Sequence, residues 1–77
     1  MIFKMENFFA KPTPKKVAEK IYNEVILVHE TGGRFYRYPV SNFSISFINE
    51  VIDRLSEYVH DADVLELEYG YIVIEWS

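Results

Sequence analysis

Within "FSISFINEVIDRLSEYVH", Ile48, Val51, Ile52, Leu55 and Val59 recur at i, i+3, i+4, i+7 and i+11, and this spacing constrains the fold more than anything else in the chain. Only a helix of about 3.6 residues per turn brings all five onto one side. Phe47 and Tyr58 widen the stripe. Asn49, Glu50, Asp53, Arg54, Ser56 and Glu57 fill the opposite side, and Ser44 or Ser46 can cap the start. The spacing predicts a helix over 45–60 that must bury one face against other elements.

The rest of the chain offers few ways to supply that partner layer. A chain of 77 residues makes one domain, and a domain of this size buries only about 60% of the surface its unfolded chain exposes. There is no cysteine for a disulfide and no Cys/His cluster for a structural zinc. Six Phe, six Tyr and one Trp compensate, since each ring can bury roughly 150–250 Å².

Breaks fall at "KPTPKK", "TGG", "YPVSN" and "YGY". Residues 1–9 place Ile2, Phe3, Met5, Phe8 and Phe9 without a clean period, as a short strand or a helical turn. Thr13 and Pro14 read as an N-cap and first-turn proline, and Val17, Ala18, Ile21 and Tyr22 follow at helical spacing, giving a helix over 14–23. One long strand over 16–30 is the alternative. "EVILVHE" then reads as a strand turned by Thr31-Gly32-Gly33 into "RFYRYPV", a hairpin over 24–40. A three-residue loop pairs Glu30 with Arg34, Val28 with Tyr36 and Ile26 with Tyr38. A two-residue turn would set Val28 against Arg37 instead. "ADVLELEYGYIVIEWS" alternates Leu65, Leu67 and Tyr69 against Glu66 and Glu68. It reads as a second hairpin over 63–76 turning at Tyr69-Gly70, or as one strand bent by a glycine bulge. The expected fold is a single α+β domain over 1–77: a mainly antiparallel sheet from two hairpins, with one or two helices on one face.

"GGRFYRYPVSNFSISFINEVI", a glycine turn, a Y-x-Y strand, a proline-valine exit and a helix, resembles the hairpin and helix of the short KTSC domain. The Lys/Ser/Gly/Phe tail that family carries after its helix is replaced here by "HDADVLELEY". The resemblance implies a hairpin followed by a helix and carries over no functional residue.

Charge is unevenly spread. Residues 1–38 hold seven Lys/Arg against four acids, +3, and residues 39–77 hold only Arg54 against eight acids, −7, within a formal net charge of −4. An acidic surface of this kind suits a basic partner surface, with encounter steered by the field. The candidate contact residues are Glu50, Asp53, Glu57, Asp61 and Asp63 along the second helix and its exit, and Glu66 and Glu68 beyond. The bland alternative is that these acids only keep outward faces solvated.

Catalytic signatures are missing. Ser41, Ser44, Ser46 and Ser56 have cap or surface roles, and no G-x-S-x-G elbow or phosphate-cradling glycine loop occurs. His60, Asp61, Asp63 and Glu57 offer metal-type ligands from one element only, and His60 more simply complements a helix C-terminus. His29 reads as a half-exposed strand residue beside Phe35. No metal, cofactor or enzymatic activity is expected. Arg34, Phe35, Tyr36, Arg37 and Tyr38, with Lys15, Lys16 and Lys20, fit the recipe for single-stranded nucleic-acid binding, but a half of charge −7 opposes approach to a polyanion.

Lys4, Glu6 and Lys11 interrupt the N-terminal apolar run, so neither a signal peptide nor a membrane helix is expected, and the expected location is the cytoplasm, that of a host cell if the chain is viral. The expected function is a small non-enzymatic interaction module, such as a phage or mobile-element inhibitor that presents an acidic, nucleic-acid-like face to a protein. The alternatives are the single-strand binder using residues 34–38 and a homo-oligomeric structural module such as a homodimer. The latter would use Tyr69, Tyr71 and Trp76 at a self-complementary C-terminal sheet edge.

Overall fold

Thr13 and Pro14 open the first helix as their chemistry predicts. The Thr13 hydroxyl oxygen accepts from the Lys16 amide at 3.2 Å and Pro14 occupies the first turn. The protein is described by a computed structural model over residues 12–77, so the expectation for residues 1–9 lies outside the described residues. Helix α1 (Pro14–Glu30) runs seven residues past the expected end at 23 and absorbs "EVILVHE". Both the hairpin over 24–40 and the alternative long strand over 16–30 are therefore corrected. Val17, Ala18, Ile21 and Val25 form one buried stripe, so a single helical phase carries the buried face from the first segment into Val25 of the second while Ile26 and Leu27 stay exposed, and packing overrides the strand preference of Ile26 and Val28.

The Thr31-Gly32-Gly33 signal is a helix stop. Gly32 has φ +89°, its N–H donates to His29 O at 3.0 Å, and the Gly33 N–H donates to Val28 O at 2.9 Å. This is the Schellman arrangement, in which a left-handed residue after the helix satisfies its last carbonyls. The expected pairs Glu30–Arg34, Val28–Tyr36 and Ile26–Tyr38 do not form.

Strand β1 (Phe35–Pro39) pairs instead with the end of the chain. Helix α2 (Ile45–Tyr58) follows, capped by Ser44, whose hydroxyl oxygen accepts from the Phe47 amide at 3.2 Å. Strands β2 (Val64–Glu68) and β3 (Tyr71–Glu75) close the fold as the expected second hairpin. The sheet order is β1-β3-β2, with β3 antiparallel to both neighbours. Three strands thus stand where two hairpins were expected, and the α+β class holds.

Tyr36 and Tyr38 on β1, Ile72 and Ile74 on β3, and Leu65 on β2 share the face that packs on both helices. Ile21, Val51, Leu55, Ile72 and Ile74 are completely buried there. The Tyr36 hydroxyl donates to the Glu24 carboxylate, and Tyr22 stacks on Tyr58 with ring centroids 5.1 Å apart, tying α1 to β1 and to α2.

The β2–β3 turn has φ +51° at Tyr69 and +81° at Gly70, the double positive φ of a type I′ hairpin turn. Left-handed backbone suits glycine and asparagine, whereas a tyrosine there is strained. Because Tyr69 is 95% exposed, its ring recovers little by packing. Tyr69→Asn should raise stability by about 1 kcal/mol, read as a Tm rise of roughly 4–8 °C in a circular-dichroism melt.

Candidate functional site

The acidic residues fall into two sets joined by a loop. Glu50, Asp53 and Glu57 occupy the outer side of α2 because Ile48, Val51 and Leu55 turn its other side into the core. Asp61 and Asp63 lie in the exposed loop after α2, where the Asp63 amide donates to Glu75 O at 2.8 Å. On β2, Leu65 turns toward the helices, which sends Glu66 and Glu68 to the opposite face of the sheet.

That opposite face can be read from the register. Phe35, Glu75 and Val64 form one row, Arg37, Val73 and Glu66 the next, and Pro39, Tyr71 and Glu68 the third. The Arg37 guanidinium lies over the Tyr71 ring at 4.7 Å, a cation–π contact. One cation and three glutamates share this face, a poor platform for a polyanion. Of the aromatics in the expected nucleic-acid segment, Tyr36 and Tyr38 pack on the core, and only Phe35, 50% exposed, stays accessible.

Because α1 packs over β1 and α2 over β2, the charge asymmetry of the sequence becomes a spatial one. The α1/β1 side carries exposed Lys15, Lys16, Lys20, Arg34 and Arg37. From residue 39 onward all eight acids are exposed, and Arg54 is the one Lys or Arg among them. Among the described residues an ion pair joins Arg54 to Glu50 at 3.5 Å, and a hydrogen bond joins His60 Nδ1 and Asp61 Oδ1 at 3.1 Å. Exposed pairs of this kind contribute about 0.5 kcal/mol or less, and the other acids stay uncompensated among the described residues.

The proposed oligomer surface does not assemble. Strand β3 is the middle strand, hydrogen-bonded on both sides, so it offers no edge. Trp76 packs on the helix-side core and Tyr71 lies on the other face beneath Arg37. Tyr69 stands at the β2–β3 turn, at the opposite end of β3 from Trp76, so the three residues do not form one continuous surface.

Trp76 and His29 build a feature that sequence reasoning missed. With α1 extended to Glu30, His29 meets the end of β3, and the Trp76 indole N–H donates to His29 Nδ1 at 3.0 Å. The rings sit edge to face with centroids 6.2 Å apart. This bond fixes Nδ1 as an acceptor and places the neutral-ring proton on Nε2. Beside the pair is a cleft of about 290 Å³ floored by Val25, Val59, Ala62 and Ile74. Ile26 and Tyr58 flank it, and His60, Asp61 and Ser77 complete its rim. Both histidines of the chain thus meet one cleft. Among the described residues no three His, Asp or Glu side chains converge closely enough to hold a metal ion, and no helix is long and apolar enough to cross a membrane.

Comparison with protein families, curated proteins and solved structures finds no match to this chain. The likeness to the KTSC domain has no family match behind it, and its hairpin is replaced by a helix stop followed by a strand.

Proposed function

We propose that this chain is a non-enzymatic protein-interaction module, of the inhibitor type carried by phages and mobile elements, whose acidic α2/β2 side occupies a basic, nucleic-acid-binding surface of another protein. The observation that carries this reading is the run of seven exposed acids along α2, the loop after it and β2, with Arg54 the one Lys or Arg in that stretch. A field of one sign over one side raises association rates and selects partners of opposite sign.

Geometry refines the partner's shape. The α2 acids and the β2 acids lie on opposite faces of a two-layer domain and meet only around the β2 edge through Asp61 and Asp63. A groove or channel that embraces this edge engages both sets, whereas a flat patch reaches one.

The test is affinity capture from an extract of the cells that carry the chain, with three baits: the native chain, Asp53→Lys/Glu57→Lys, and Lys15→Glu/Lys16→Glu. The first reversal should weaken capture of a basic partner about tenfold or more, and the lysine reversal should not. Raising the salt should erase most of the difference, because exposed charges are screened. A folded acid-reversed bait that captures the partner as well as the native chain overturns the reading.

A further inference from the structure

We propose that the cleft beside Trp76 receives one apolar side chain, aliphatic or aromatic, from a Lys/Arg-flanked segment of the partner, with Asp61 facing the flanking cation. The inference rests on the acidic-side reading and gives that surface a specific anchor. Charged rims set encounter and register, while affinity concentrates in a few apolar or aromatic groups seated in pockets.

Size, lining and rigidity agree with this occupant. A cavity of about 150 Å³ lined by apolar groups already accommodates benzene, so about 290 Å³ holds a Leu or Phe side chain. The floor includes Ile74, completely buried, and Val25, 7% exposed, so nothing on it demands a hydrogen bond from the guest. Ile26 and Tyr58, each more than a third exposed, extend the apolar surface outward. The Trp76–His29 bond holds one wall in place before anything binds, which lowers the ordering cost of association.

Charge selects the flanks of the guest. Among the described residues, Asp61 is the carboxylate among the lining side chains and no Lys or Arg side chain lines the cleft. Asp63 follows two residues on and Glu57 precedes by one turn, both exposed. An acidic segment would be repelled and a basic one attracted.

The test uses short capped peptides without tryptophan, because Trp76 is the one tryptophan of the chain and its emission reports on the cleft. The probes are KKLLKK, KKSSKK and EELLEE, followed by Trp76 fluorescence and by backbone amide shifts. KKLLKK should move the Trp76 emission, shift the amides of Ala62 and Trp76, and bind at least tenfold more tightly than either other peptide. Ala62→Phe, which fills the cleft, should abolish the response. Asp61→Lys, at a side chain 95% exposed where folding is not at stake, should remove the preference for KKLLKK over EELLEE.

Equal binding of KKLLKK and KKSSKK with shifts on the outer side of α2 overturns the anchor and leaves the acidic-side reading standing. Tighter binding of EELLEE, an unchanged response in a folded Ala62→Phe protein, or no binding of KKLLKK at millimolar concentration also overturns it. Failure of the acidic-side reading shows separately, as capture indifferent to Asp53→Lys/Glu57→Lys.

Discussion

Leu55→Ala is expected to lower stability by about 3 kcal/mol, within the range of about 2–5 kcal/mol for Leu→Ala in a core. Leu55 is completely buried and lies in the cluster that joins α1, α2 and the sheet. A domain of this length has a total stability of roughly 4–12 kcal/mol at the usual value per residue. Losing 3 kcal/mol should depress Tm by roughly 12–24 °C, measured by circular dichroism at 222 nm. Leu27→Ala is the matched control: Leu27 is 62% exposed on α1, and its removal should change stability by about 0.5 kcal/mol or less.

The second large effect is at Gly33. A β-carbon there would sit 2.5 Å from Val28 Cγ1 and 3.1 Å from Val28 O, the carbonyl that accepts the Gly33 N–H. Neither neighbour yields easily, because valine in a helix is held to one dominant rotamer and the carbonyl belongs to the helix stop. Gly33→Ala should therefore cost about 2 kcal/mol, in the range for overpacking, and denaturant midpoints measure it. Val28→Ala/Gly33→Ala should cost less than the sum of the two single changes, since removing Cγ1 relieves the closer contact; strict additivity would refute the clash as the cause.

These two sites show where the sequence was legible and where it was not. Helix α2 could be read because a long, one-sided stripe leaves one structural answer, and Leu55 belongs to it. The β2–β3 hairpin was legible from its alternation and the Tyr69-Gly70 turn. Gly32-Gly33 misled, since a left-handed glycine serves a hairpin turn and a helix stop equally well. The discriminating signal was the stripe of Val17, Ala18, Ile21 and Val25 continuing unbroken into the β-branched run. The central place of β3 had a cue as well: Ile72, Val73 and Ile74 form a continuous apolar run, and all three are buried, as suits a strand flanked by a neighbour on each side.

The site divides the same way. The acids were legible as outward residues because their types and spacing exclude them from the core. Their division between the two faces of the domain followed only from the register of β2. The cleft had no local signal, since His29 and Trp76 lie 47 positions apart and meet only when α1 extends to Glu30 and β1 pairs with β3.

The most direct measurement of the central claim is competition between this chain and nucleic acid for the captured partner. The partner, loaded with a short labelled DNA duplex or RNA strand that it binds, is titrated with the native chain and, in parallel, with Asp53→Lys/Glu57→Lys. Displacement of the nucleic acid by the native chain, and at least tenfold weaker displacement by the reversed variant, is the predicted result. A ternary complex in which partner, nucleic acid and this chain bind together at undiminished affinity would contradict it.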